Sequence, residues 1–243
     1  MKVALVCIAK NEDFYIKEWV DYHIKLGFHK IFIYENEWRC NVDFDSNSIV
    51  KIPFDGKSQQ MNVYQNFINH YSVEYNWVAF FDVDEFLVLK KHNSVSDLIL
   101  EFKNETCLAV NWVFFGDNNL KNVTDNNYSV LSRFTKRQIG VDRHIKSIIN
   151  LKNHVKIQNP HNPHKIRWTD PSGNRNFGPF NDNGNDIVYQ LNHYYTKTKD
   201  EFIQKVNRGR ADNGSFKKVE EYKHFNSYCN DIEDLTALNF FKK

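Results

Sequence analysis

Val3 to Ile8 is an unbroken apolar run with β-branched residues, and after the polar Lys10-Asn11-Glu12 the residues Ile16, Trp19, Val20, His23 and Ile24 recur at helical spacing. A short apolar run followed by a period of about 3.6 reads as strand, loop and amphipathic helix. Gly27 stands where a helix ends on a left-handed residue, and Lys30 to Tyr34 reads as a second strand closing at Glu35-Asn36, so the chain opens with a βαβ unit. A third strand is expected at Ile49 to Ile52 before Pro53, and Met61, Tyr64, Phe67, Ile68 and Tyr71 form a second helical stripe. Trp77 to Leu89, WVAFFDVDEFLVL, begins as a strand buried on both faces and is interrupted by Asp82, Asp84 and Glu85. Ser94 and Asp97 are placed to cap a short helix reaching Phe102, and Cys107 to Phe115 reads as a further strand closing at Gly116-Asp117.

The second half is less regular. Ser129 to Phe134, Ile145 to Leu151 and Ile187 to Leu191 read as strands, and Thr198 with Glu201 is a capping-box signature opening a helix that runs through Arg208. A terminal helix is expected over Asp231 to Phe241. The Pro-, His- and Asn-rich stretch Asn159 to Gly184 is too long for an idle connection, and loops of that length usually cover a site. Alternating strands and helices without a repeat or a clear boundary imply an α/β fold with a mixed, mostly parallel central sheet, in a single domain over 1–243.

Composition narrows the function. The 243 residues, 41% hydrophobic and 26% charged, suit one substantial core. Lys+Arg 32 against Asp+Glu 30 leaves a formal net charge of +2, which offers no basic field for nucleic acid. Cys7, Cys40, Cys107 and Cys229 form no CxxC pair, so reduced thiols of a cytosolic chain are expected. The sequons beginning at Asn104, Asn122, Asn127 and Asn213 read as coincidence in an asparagine-rich chain. No stretch approaches the ~18 consecutive apolar residues of a bilayer span, and the opening run reads as a first strand rather than a signal peptide. A cytoplasmic protein is the expectation. The C-terminal LNFFKK adds the expectation of weak association with an inner membrane face, set against the plainer reading that it caps the core as a last helical turn.

In an open α/β sheet, ligands bind beyond the carboxyl ends of the strands. The expected strand ends carry Lys10, Asn11 and Glu12, then Glu35 and Asn36, then Asp82-Val83-Asp84. Two aspartates two residues apart in extended chain point the same way and can present oxygens to one hard divalent cation, which would offset the cost of carboxylates beside an apolar strand. The plain alternative is a solvated turn with Glu85 exposed.

With those motifs in view, the chain resembles the GT-A glycosyltransferases, and within them family 92 and related family 2-like enzymes. The resemblance rests on KNEDFYIKEWVDYHIKLGFHKIFIYEN at Lys10 to Asn36, WVAFFDVDEF at Trp77 to Phe86, NWVFFGDN at Asn111 to Asn118 and HYYTKTKDEFIQKVNRG at His193 to Gly209, in family order. It implies the GT-A (Rossmann-like) nucleotide-sugar fold, with residues 1–106 as its nucleotide-sugar-binding half and 107–243 as its acceptor-binding half with the C-terminal helices. It also implies a UDP-sugar donor, with galactose as one guess, and Mn²⁺ (or Mg²⁺) at Asp82 and Asp84 with His193 as a late metal contact, where the residue alone would read as a buried, hydrogen-bonded histidine. The expected reaction is transfer, inverting in the simplest reading, to a hydroxyl of an oligosaccharide or glycolipid acceptor in polysaccharide biosynthesis. Where the family often has an Asn-x-Ser turn, Glu37-Trp38 follows Asn36, so nucleoside recognition is expected to differ.

The remaining assignments are weaker readings of the residues. Lys197, Lys205, Arg208 and Arg210 are cations for a diphosphate leaving group, or else a solvated helix face. Trp112, Phe114 and Phe115 offer stacking surfaces for a sugar, or else core. His161 and His164 make a poor zinc signal and fit an acceptor loop better. The general base should be a carboxylate among Asp117, Asp142, Asp170 and Asp182, and Asp117 is favoured because its strand is expected beside that of the aspartate pair. Two competing classes are a noncatalytic glycan-binding module, which would not need the acidic strand end, and an aspartyl-nucleophile phosphatase, whose motif belongs on the first strand.

Overall fold

The computed structural model describes residues 1–44, 47–124, 127–163, 165–209 and 218–243. The βαβ opening is present as β1 (Val3–Ala9), α1 (Ile16–Lys25) and β2 (Lys30–Glu35), followed by β3 (Ile49–Pro53), α2 (Gln60–Tyr71), β4 (Trp77–Phe80), β5 (Glu85–Leu89) and α3 (Val95–Glu101). Then come β6 (Cys107–Phe114), α4 (Val130–Arg133), β7 (Lys136–Arg137), β8 (Ile145–Asn150), β9 (Trp168–Thr169), β10 (Arg175–Asn176) and β11 (Tyr189–His193). The chain closes with α5 (Lys199–Arg208), α6 (Glu220–Asn226), β12 (Ile232–Glu233) and α7 (Thr236–Lys242).

The expected mixed α/β sheet is observed. Its central order is β10-β9-β6-β8-β4-β1-β2-β3, with β11 pairing β5 and β6. Strands β3, β2, β1 and β4 run parallel, whereas β8 runs antiparallel to both neighbours, β4 and β6. Because β6 is reversed twice relative to β4, it points the same way as β1, and β11 is parallel to β6 in turn. The carboxyl ends of β1, β2, β4, β6 and β11 and the amino end of β8 therefore meet at one edge, where the site forms.

The strands read as continuous apolar runs because both faces are covered. Along β1, Val3, Leu5 and Cys7 pack with Trp19, Tyr22 and Phe86 on one side, and Ala4, Val6 and Ile8 pack with Phe32, Tyr64 and Phe67 on the other. Ser94 caps α3 through the Asp97 amide at 3.2 Å, and Thr198 forms the expected reciprocal box with Glu201 at the start of α5.

Four readings change. Ser129 to Phe134 is helical rather than extended, with Ser129 as N-cap. The strand expected at Ile187 to Leu191 spans Tyr189–His193. Asp231 to Phe241 splits into the short β12 and α7. Strand β8 lies between β4 and β6, so Asp117 does not follow a strand beside the aspartate pair. Phe240 of α7 packs against Tyr22, ring centroids 5.3 Å apart, and Lys25 donates to the Phe241 carbonyl at 3.0 Å. Among the described residues no helix is long and apolar enough to cross a membrane.

Candidate active site

A cavity of about 730 Å³ opens at this edge, lined by residues from β1, the loop before α2, the β4–β5 turn, β6, β8, β11, α5 and α6. Its acidic centre is a turn rather than extended chain: the Glu85 amide donates to the Asp82 carbonyl at 2.9 Å, so the chain reverses immediately after β4. That reversal leaves Asp82 and Asp84 on the cavity wall and drives Glu85, fully buried, into the core beneath.

Each acid there meets a cation. Lys146, 1% exposed on β8, donates to Asp82 Oδ2 at 3.0 Å and lies 3.5 Å from Glu85 Oε2, which also accepts from the Asp82 amide at 2.9 Å. Gln60 at the start of α2 donates to Asp82 Oδ1 at 3.0 Å. Lys205 of α5 pairs with Asp84, and His193 Nε2 lies 3.6 Å from the same carboxylate oxygen. Burial opposes ionisation of both aspartates, but the attraction of Lys146 for Asp82, and of Lys205 and His193 for Asp84, holds their carboxyls below the usual range. Glu85 has the opposite balance: burial pushes its carboxyl well above the usual range despite Lys146. The buried Lys146 amine is held above its usual range because Asp82 and Glu85 outweigh its desolvation.

Residues one helical turn apart share a face, so Lys205 and Arg208 both reach the cavity from α5. Arg208 donates to the Lys10 carbonyl at 2.6 Å and pairs with Glu12, tying α5 to the loop after β1. Helix α5 is fixed by Glu201, which takes Arg133 in a bidentate pair at 2.8 and 2.9 Å and Tyr15 at 2.8 Å while closing the capping box. This holds its carboxyl down at about 2 against the desolvation that opposes it.

Of the residues singled out in the sequence, Lys10, Glu12, Asn36, Asp82, Asp84, Asp142, His193, Lys205, Trp112, Phe114, His161 and Arg208 line the cavity. Asn36 donates to the Phe54 and Gly56 carbonyls, shaping the loop before α2, and Glu37 beside it pairs with Lys10. Asn11, at φ 54, is exposed and outside the lining. Glu35 is buried beneath the strand end, accepting from the Cys40 amide at 3.0 Å. Lys197, at φ 51, sits behind the wall with its ammonium 4.1 Å from the Tyr15 ring centre, and burial draws its pKa down. Asp117 is also outside the lining: Tyr222, the Asn119 amide and Asn230 all donate to its carboxylate. His164 and Arg210 lie outside the described residues.

The sequence reading missed Lys146, Gln60 and the buried role of Glu85, and it did not set His144 beside Asp142. A signal for Lys146 existed, because a lysine inside the apolar run Ile145–Asn150 is out of place unless it is paired.

A curated glycosyltransferase family 92 protein from Ricinus communis is 27% identical over 160 residues, covering 61% of this chain and 28% of that protein, so the chain spans little more than a quarter of that relative's length. Among solved structures, the 2-C-methyl-D-erythritol 4-phosphate cytidylyltransferase of Francisella tularensis aligns with TM-score 0.35 at 16% identity, over 62% of this chain and 73% of that one. S. aureus TarS 1–349 aligns with TM-score 0.36 at 13% identity, over 62% and 47%. Residues 56–234, which carry the aspartate pair, Lys146, His193 and Lys205, match glycosyltransferase family 92, and the chain belongs to that family.

Proposed function

We propose that this chain transfers a sugar from a nucleoside diphosphate, UDP by the family resemblance, to a hydroxyl of a glycan acceptor, with inversion at the anomeric carbon. The observation that carries the reading is one cavity, of a size typical for small-molecule sites, in which an ionised aspartate pair at a strand end faces Lys146, Lys205 and Arg208. Lys205 and Arg208 are the cations that would neutralise the diphosphate as it leaves, since charge develops there as the bond to the sugar breaks. Lys146 keeps Asp82 ionised and oriented.

A divalent cation belongs to this reading. Two ionised carboxylates and an imidazole suit Mn²⁺ or Mg²⁺ in donor type, and His193 and Asp84 already approach within 3.6 Å. Among the described residues no three such side chains are gathered closely enough to hold an ion, because Asp82 and Asp84 are turned toward lysines. Asp82, Asp84 and His193 are the residues that would hold it. When bound, the ion would act as a Lewis acid on the diphosphate.

The test is thermal unfolding with UDP, GDP and CDP, each with Mn²⁺ or with EDTA. Ligand at about 100 times Kd stabilises by ~2.7 kcal/mol, or about 5–10 °C for a chain of this size. The expected result is a gain with UDP that EDTA abolishes. If no nucleotide raises Tm in the presence of metal, the reading fails. Release of free nucleotide from a panel of sugar donors then identifies the sugar.

A further inference from the structure

The proposed transfer needs a base for the acceptor hydroxyl, and among the described residues the carboxylates lining the cavity do not supply one readily. Glu12 is paired with Arg208, Glu37 with Lys10, Asp82 with Lys146 and Asp84 with Lys205, while Glu221 accepts from the Tyr195 hydroxyl. Asp142 remains, and it faces an imidazole. Its Oδ1 lies 2.6 Å from His144 Nδ1 and also accepts the His144 backbone N–H at 2.8 Å.

On this arrangement we propose that His144 is the general base of the reaction, oriented by Asp142. The inference rests on the glycosyltransferase reading above. A carboxylate can only accept, and Asp142 is held below the usual carboxylate range despite burial by its bonds from His144. Nδ1 therefore carries the proton, and Nε2 presents its lone pair. Among the described residues Nε2 has no hydrogen-bond partner, and the His144 side chain is 38% exposed at the cavity.

Position supports the role. His144 and Lys146 are alternate residues at the amino end of β8, so their side chains leave one face about 7 Å apart along the chain. The Lys146 ammonium is 3.0 Å from Asp82, so His144 stands one step farther out from the donor end, where an acceptor would lie. The indole of Trp112 stacks on the His144 ring, centroids 5.2 Å apart at 26°, fixing its plane. The Asp142 backbone is held on both sides: its N–H donates to the Trp112 carbonyl at 2.7 Å, and its carbonyl accepts from Asn111 at 2.9 Å. Gly184 lies against that Asn111 amide so closely that a Cβ there would sit 2.3 Å from it. The dyad is thus preorganised rather than assembled on binding.

In the step itself, the acceptor O–H proton passes to His144 Nε2 as the oxygen lone pair forms the bond to the anomeric carbon. The bond from that carbon to the diphosphate oxygen breaks, and its electron pair leaves with the nucleoside diphosphate. The imidazolium is stabilised by Asp142 and returns its proton to solvent.

His144→Ala and Asp142→Asn are compared with wild type in transfer assays and in nucleotide thermal shifts with Mn²⁺. The expected result for His144→Ala is a kcat lower by about 10²–10⁴-fold with the nucleotide shift unchanged, and partial recovery in added imidazole. Asp142→Asn alone should lower kcat by about 10–100-fold, and in the His144→Ala background it should cost nothing further, because it acts through the imidazole. The proposal is overturned if His144→Ala keeps kcat within threefold of wild type, if Asp142→Asn is as damaging without His144 as with it, or if both variants lose the nucleotide shift together with activity. A wild-type protein that shows no metal-dependent nucleotide shift instead overturns the transferase reading itself.

Discussion

Replacing Lys146 with methionine keeps the length of the side chain and removes its charge from between Asp82 and Glu85. At an effective dielectric of about 20, the ammonium gains roughly 5 kcal/mol from the ionised Asp82 at 3.0 Å, most of it offset by its own desolvation, and a comparable gain from Glu85 at 3.5 Å only where that carboxyl is ionised. Breaking such a buried pair from one side costs about 3–5 kcal/mol, because the partner is left charged and buried. For a chain of this size that is a fall in Tm of about 6–20 °C. The effect should depend on pH, with a sign fixed by Glu85. Burial raises its folded pKa above the ordinary 4.5 and Lys146 opposes that rise, so without the lysine the raise is larger. A carboxyl with a raised folded pKa favours folding fully below its unfolded value, and that contribution is lost as pH rises through the folded value. The deficit of Lys146→Met should therefore grow between pH 5 and pH 8 in thermal or urea unfolding, and Glu85→Gln in the same background should recover most of it. A deficit under 2 °C at both pH values, or one of equal size at both, or no recovery with Glu85→Gln, refutes the reasoning.

What the sequence revealed and what it hid follow from how local each signal is. The β1-α1-β2 unit, the Ser94 cap and the Thr198–Glu201 box are short-range patterns, and all are present. The aspartates stood out because strand ends can be read one strand at a time, whereas His193 came from the family resemblance; all three line the cavity. Lys146 escaped because it meets Asp82 only across 64 residues, and nothing local tells that β8 inserts between β4 and β6. The same insertion moved Asp117 away from the cavity. Ser129 to Phe134 looked extended, yet Ser129 Oγ and the Val130 amide both donate to Glu18, more than a hundred residues earlier, and the segment coils into a capped helical turn. The sharp turn at Asp82 was masked by apolar residues on both sides; it is stabilised by the buried Glu85 carboxyl accepting from the Asp82 amide.

Three further outcomes are expected. Asp82→Asn and Asp84→Asn should each abolish metal-dependent nucleotide stabilisation and transfer while the folded state persists, and His193→Ala should weaken the nucleotide shift; a lower Tm with unchanged nucleotide affinity would make His193 structural. Glu201→Gln should destabilise the chain by about 3–5 kcal/mol near neutral pH through loss of the buried Arg133 pair. Because the Glu201 pKa is lowered from 4.5 to about 2, that contribution is present above about pH 4.5 and lost as pH falls toward 2, so wild type and variant should converge in acid unfolding; a constant difference down to pH 2 excludes the assignment. Finally, α7 tests whether its aromatic residues serve the core or a membrane surface. Phe240 is packed on Tyr22 with Lys25 5.8 Å above its ring, so insertion into an interface would first have to break contacts that already bury it. Phe240→Ser should lower Tm by several degrees, at about 1–3 kcal/mol for a half-buried aromatic, and leave co-sedimentation with anionic vesicles unchanged. Loss of vesicle binding with Tm intact would show instead that the helix leaves Tyr22 to reach the lipid.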